Sequence, residues 1–170
     1  ARFLLVAAAN PCPCGYYGVE GGKCRCTAGQ INRYRSRFSG PILDRIDLWL
    51  DIPPVSYHNL RQRGKEEDSA AVRRRVQAAR SIQQRRFGGS QLNAAMNTRQ
   101  VETHCSLDQA GEAMLSAAFR RLGLSARAHQ RVLKVARTIA DLAAREQILC
   151  EDMAEALSYR SLSWQGDDCN

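Results

Sequence analysis

Hydrophobic and polar positions change period part-way along the chain. Arg2 to Asn10 (RFLLVAAAN) is almost continuously apolar and runs into Pro11. Such a run predicts a strand buried on both faces, with Phe3, Leu4, Leu5 and Val6 as its core, although its alanines favour helix. Residues 30–38 place Ile31, Tyr34 and Phe38 on one face of a short helix, which Ser39-Gly40-Pro41 breaks. Pro41 suits the first turn of a second short helix over 42–46. Ile46, Leu48, Leu50 and Ile52 then alternate with Asp47, Trp49 and Asp51. That period of two predicts a second strand, ended by Pro53-Pro54.

Beyond residue 68 the period becomes that of helices. Val72, Val76, Ala79 and Ile82 form a stripe, with acidic residues before it, arginines along it and Gly88-Gly89 as its stop. Residues 92–105 carry only a weak pattern. Ser106-Leu107-Asp108-Gln109 has the form of a capping box, and Leu107, Ala110, Met114, Ala117 and Ala118 make the buried stripe of the helix it opens, up to Gly123. Ser125 caps the next helix, whose apolar face is Val132, Leu133, Ala136, Ile139, Ala140 and Ala143. A last helix covers 151–159, with acids in its first turn. The expected architecture is an α/β fragment followed by an α-helical bundle. Its parts are residues 1–60, a connecting helical segment 61–105, a helical domain 106–160 and a frayed tail 161–170, with the boundary in 53–68. No internal repeat is visible.

Composition narrows the class. The 170 residues are 44% hydrophobic and 25% charged, a globular balance. No apolar run approaches the roughly 18 residues that span a bilayer. The apolar start is too brief for a signal peptide, carries an arginine and leads into cysteines, and the absence of an initiator Met points to a piece of a longer protein. The net charge is +8, supplied mainly by arginine, which binds phosphate in a two-pronged way. That surplus favours anionic partners such as nucleic acid or nucleotides; the plainer alternative is a solvated basic surface.

Four of the seven cysteines crowd one glycine-rich loop as Cys12-Pro-Cys14 and Cys24-Arg-Cys26. Four thiolates match the tetrahedral preference of zinc and leave no open position for water, so the expectation is a structural Zn²⁺ site. Four idle thiols are the alternative. The spacing differs from the usual Cys-x2-Cys, and the loop's glycines would let it fold back tightly, while Lys23 and Arg25 offset thiolate charge. An odd cysteine count without a secretion signal argues against a disulfide framework and for a reducing cytoplasm.

Three segments, LLVAAANPCPCGYYG, RYRSRFSGPILDRIDLWLDIP and LSARAHQRVLKVARTIADL, resemble the C-terminal part of the Mg-chelatase-like AAA+ ATPases of the ComM/YifB group, over residues 2 to about 160. The resemblance implies the end of an AAA+ core plus its helical lid, from a hexameric ring that uses ATP and Mg²⁺ to remodel DNA, as a branch-migration helicase does. It places Asn10 as the sensor-1 residue that orients the attacking water, where a strand-end turn residue is the plain reading. It places Arg45, in GPILDRIDL, as the arginine finger reaching a neighbouring subunit's ATP, where an ion pair with Asp44 or Asp47 is the alternative. Arg37 is a second basic candidate at that interface. Arg127 falls at the sensor-2 helix start, where a helix N-terminus favours anions, with Arg131 one turn on as the fallback. No G-x-x-x-x-G-K-[ST] loop and no Walker B strand occur in these residues, so this chain alone is expected not to hydrolyse ATP. Two other readings are a zinc-stabilised nucleic-acid-binding module and a magnesium-chelatase ATPase subunit.

Overall fold

The computed structural model describes residues 3–19, 21–38, 42, 45–53, 55 and 67–160. The chain divides into two compact units, one of Ala1–Leu43 and Ile52–Val55, the other of Asp44–Asp51 and Ser56–Asn170.

The smaller unit holds the cysteine loop and helix α1, Ala28–Arg35. Thr27 opens α1 with a full capping box: its hydroxyl accepts from the Gln30 N–H, and the Gln30 side chain accepts from the Thr27 N–H. Ile31 is the buried residue of this helix. The expected first strand does not form among the described residues: residues 3–10 have no strand partner there, and Phe3, Leu4, Leu5 and Val6 are 76%, 88%, 61% and 83% exposed. The expected second strand also lacks a ladder, and Leu48, Leu50 and Ile52 are exposed. Apolar runs and alternation encode a preference for burial and pleat, but a strand exists only beside another strand. Among the described residues none supplies that edge. Of the helix expected over 42–46, residues 43 and 44 lie outside the described residues, while Arg45 is in a turn and Ile46 is not helical; the tail 161–170 and most of the 53–68 boundary also lie outside the described residues.

The larger unit is helical. Its elements are α2 (Ser69–Phe87), a single 3-10 turn (Asn93–Ala95), α3 (Thr98–His104), α4 (Gln109–Leu122), α5 (Ala126–Leu142) and α6 (Cys150–Ser158). Helix α5 is central: α2, the 3-10 turn, α3 and α6 all pack on it, and α4 packs on α6. Its position follows from composition. Of the expected face, Val132, Leu133, Ala136 and Ala140 are buried and Ile139 is half-buried against them, but Ala143 lies past the helix and is exposed; the buried four join Met96, Val101, Cys105, Leu115, Ile148, Met153 and Ala156 in one core. Small alanines let neighbouring helices come close, and Met153 is fully buried in the same core.

Caps define the helix ends as side-chain chemistry requires. Asp68, Asn97, Asp108 and Ser125 each accept a backbone N–H at the start of α2, α3, α4 and α5. Gly88 and Gly123 end α2 and α4 at φ +68° and +58°, a conformation that glycine adopts without strain. Two expectations are corrected here. Ser106 is not the cap of α4; Asp108 is, its carboxylate accepting the Gly111 N–H at 2.7 Å, so the helix starts at Gln109. The buried stripe of α4 turns accordingly to Gly111 and Leu115 flanked by Leu107, Met114 and Ala118, while Ala110 and Ala117 face solvent. On α2 the expected stripe is only part right: Ala79 is buried and Ile82 half-buried, but Val72 and Val76 are exposed and Gln83 is inside. Gln83 is inside because its amide oxygen accepts the Asn93 N–H of the 3-10 turn.

Candidate functional site

The cysteine loop folds so that both pairs face each other. Gly15 N–H donates to the Cys12 carbonyl at 3.0 Å, closing a tight turn around the first pair at φ +82°. Gly22 returns the chain to the second pair, where a Cβ would lie 2.6 Å from the Val19 carbonyl oxygen, so only glycine fits. The Sγ atoms of Cys12, Cys14, Cys24 and Cys26 all lie within 4.8 Å of one another. Cys12–Cys14, Cys12–Cys24 and Cys14–Cys24 are 3.3, 3.8 and 3.6 Å apart. A tetrahedron of Zn–S bonds about 2.3 Å long has sulfurs roughly 3.8 Å apart, so the four positions fit the ion with little adjustment.

The surroundings favour thiolates unequally. Cys14 is drawn down to about 6, first by the Tyr16 N–H aimed at its sulfur and then by the Cys12 thiol. Burial would raise Cys12, but the N–H groups of Tyr17 and Cys14 outweigh it and the thiol is lowered. Cys26 is pushed up to about 12, first by the hydrogen bond to Cys14, and Cys24 is raised by partial burial and its hydrogen bonds to Cys14 and Cys12 despite the Cys26 N–H. Two thiols are shifted down and two up, as expected of four acids crowded together. A divalent cation would replace those protons. Lys23 and Arg25 are exposed on either side of Cys24, and Arg35 stacks over the Tyr17 ring at 4.8 Å, bracing the loop against α1.

Asn10 is exposed just before the loop, its side chain lying against Gly15, and Arg37 is exposed just past α1. In the helical unit, Arg127 is exposed in the first turn of α5 and has no ion pair or side-chain hydrogen bond among the described residues. Arg131, one turn on, is engaged with the segment that carries Arg45. Its guanidinium donates to the Arg45 carbonyl at 2.5 Å and forms an ion pair with Asp47. The structure thus brings Arg45 and Arg131 together, through the Arg45 backbone.

Three arginines escaped the reading of the sequence. Arg86 and Arg137 both bind Asp141, which is buried, and Arg160 donates to the Ile46 carbonyl. A signal existed for one pair: Arg137 and Asp141 stand four apart on the apolar face of α5.

Residues 1–60 match the family model described as magnesium chelatase, subunit ChlI, and residues 66–160 match the model for the C-terminal part of that subunit. The class is therefore Mg-chelatase-like. Within it, the chain is 45% identical over 163 residues to the competence protein ComM of Haemophilus influenzae, covering 95% of this chain and 31% of that protein. It is 46% identical over 163 residues to the uncharacterised protein YifB of Salmonella typhimurium, again 95% and 31%. An uncharacterised protein of Mycobacterium bovis is 37% identical over 166 residues, 94% of this chain and 32% of that one. The chain belongs to the Mg-chelatase-like ComM/YifB family and spans about a third of the length of these relatives. No helix among the described residues is long and apolar enough to cross a membrane.

Proposed function

We propose that this chain is the distal part of an AAA+ ATPase that remodels DNA, comprising the end of the nucleotide-binding core and its helical lid. What supports the reading most is the order of the two family matches, core model then C-terminal model, along nearly the whole chain. In the longer protein ATP and Mg²⁺ are the cofactors, and a ring of subunits is the working form. Asn10 serves as the sensor-1 amide, Arg45 as the finger that stabilises charge on a neighbour's transferring phosphoryl group, and Arg127 as the sensor-2 contact. Arg37 is the second basic group at the subunit interface. The cysteine loop is a structural zinc staple next to Asn10 in the chain, and its four thiolates leave no position for a reacting water.

Branched or single-stranded DNA is the partner that fits the charge. Helix α2 carries six arginines and no acid. Arg75 pairs with Glu67 and Arg86 with Asp141, while Arg73, Arg74, Arg80 and Arg85 have no ion-pair partner among the described residues. A helix that exposes four uncompensated guanidiniums presents an electrostatic face for phosphates. The same observation, joined to the cysteine cluster, favours a second reading, a zinc-stabilised nucleic-acid-binding module without turnover.

ATP turnover by the full-length protein separates the two. The motor reading expects DNA-stimulated hydrolysis that Arg45→Ala abolishes with ATP binding retained, and none from the 170-residue chain. Turnover by the 170-residue chain that Arg127→Ala removes would overturn the division of labour. A full-length protein that binds DNA and never hydrolyses ATP would leave the module reading.

A further inference from the structure

The segment Arg45–Trp49 has no strand partner among the described residues, yet it is held at nearly every residue by the helical unit. Arg131 of α5 donates to the Arg45 carbonyl and pairs with the Asp47 carboxylate. Arg160, just past α6, donates to the Ile46 carbonyl at 2.5 Å. The Trp49 N–H donates to the Tyr159 carbonyl at 2.9 Å. Two consecutive carbonyls are therefore gripped by guanidiniums from two places, one in α5 and one just past the end of α6. Bonds to main-chain oxygens fix the path of the backbone itself, and charge-assisted ones are the strong kind.

We propose that Arg131 is a positioning residue for Arg45, and that Arg131 and Arg160 together fasten the arginine-finger segment to the lid. The inference rests on the ATPase reading above and divides labour between two arginines that the sequence leaves interchangeable. The Arg131 guanidinium is committed to Asp47 and the Arg45 carbonyl and lies one turn inside α5. Arg127 is uncommitted and stands in the first turn, where helix N–H groups favour an anion. A lid that follows its own nucleotide through Arg127 then carries Arg45 with it, as one body, toward or away from the neighbouring subunit's ATP. The fastening couples adjacent sites by geometry, with no need for a separate relay.

The test uses full-length protein, four single variants, Arg45→Ala, Arg127→Ala, Arg131→Ala and Asp47→Asn, and one double variant, with kcat, KM for ATP and Kd for a non-hydrolysable analogue. Arg131→Ala is expected to lower kcat about tenfold or more with KM and Kd within about twofold of wild type, and Asp47→Asn to move the same way by less. Arg127→Ala is expected to raise Kd. The exchanged pair Asp47→Arg with Arg131→Asp should recover part of the lost kcat, which a merely structural loss would not. Asp47 is exposed, so Asp47→Asn reports even if Arg131→Ala folds poorly; amide exchange at Trp49 should quicken in both. Arg131→Ala that raises Kd and leaves saturated kcat intact makes Arg131 a nucleotide ligand and overturns the inference, as does a variant unchanged in every constant. Full turnover in Arg45→Ala instead overturns the finger assignment itself, which identifies failure of the underlying reading.

Discussion

Arg86 and Asp141, 55 residues apart, meet in a two-pronged ion pair, with Nη1–Oδ2 at 2.8 Å and Nη2–Oδ1 at 2.5 Å. Asp141 is buried and also accepts from Arg137 (3.1 Å) and Asn93 (2.7 Å). One carboxylate thereby ties α2, the 3-10 turn and α5 together. A buried charge needs this many donors to offset its lost hydration.

Asp141→Asn removes the charge and leaves two guanidiniums facing a neutral amide. The expected cost is about 3–5 kcal/mol of unfolding free energy, the range for breaking a buried ion pair by one partner. Urea unfolding followed by far-UV circular dichroism measures it. A loss below about 1 kcal/mol would show that the cluster is tolerated rather than required.

Purified protein should carry about one zinc, with Cys12, Cys14, Cys24 and Cys26 protected from thiol reagents until a chelator strips it. Chelation should loosen residues 11–31 and spare the helical transition, because no core residue of the helical unit comes from that loop. Metal-free protein with unchanged loop exchange would remove the staple.

Once stripped, the thiols should alkylate in a set order at pH 7. Cys14, lowered to about 6, is already thiolate and should react before Cys26, raised to about 12. Its rate should fall as pH drops through about 6, where the thiolate takes up its proton. Cys105, raised to about 11 by burial in the helical core, should resist throughout. Peptide mass mapping of a short iodoacetamide pulse reads the order, and simultaneous labelling of Cys14 and Cys26 would contradict it.

Ala144, just past α5, sits at φ +56°, and the Arg145 N–H reaches back to the Ala140 carbonyl at 2.8 Å. A side chain in the left-handed region costs about 1–2 kcal/mol, so Ala144→Gly is expected to stabilise the helical unit by about 1 kcal/mol after the glycine's extra chain entropy. A fall in melting temperature would show that this turn tolerates alanine without strain.

Hydrogen exchange should be slower in residues 106–160 than in 3–38. The first span contributes most of the apolar core, whereas Cys12 and Ile31 are the buried apolar residues described in the second. Equal protection in the two spans would mean that the loop alone organises its unit.

The sequence by itself determined whatever depends on near neighbours in the chain. The caps at Ser125 and Gly123, the apolar face of α5 and the pairing of Cys12-x-Cys14 with Cys24-x-Cys26 are local, because capping reach, helical period and ligand spacing span a few residues or a tight glycine loop. Ser106 and Asp108 both carry a suitable oxygen, and the sequence alone did not decide between them; in the structure Asp108 takes the Gly111 N–H. What depends on distant partners came from the tertiary structure alone. Phe3–Val6 and Leu48–Ile52 have strand patterns and no edge to join among the described residues, so the pattern stays unfulfilled. Arg127 and Arg131 are equivalent on a helical wheel, one turn apart. Only the arrival of Asp47 and the Arg45 carbonyl, some 85 residues earlier in the chain, commits Arg131, while Arg127 has no ion pair among the described residues. A guanidinium takes its role from the oxygens it meets, and the fold brings those oxygens to it.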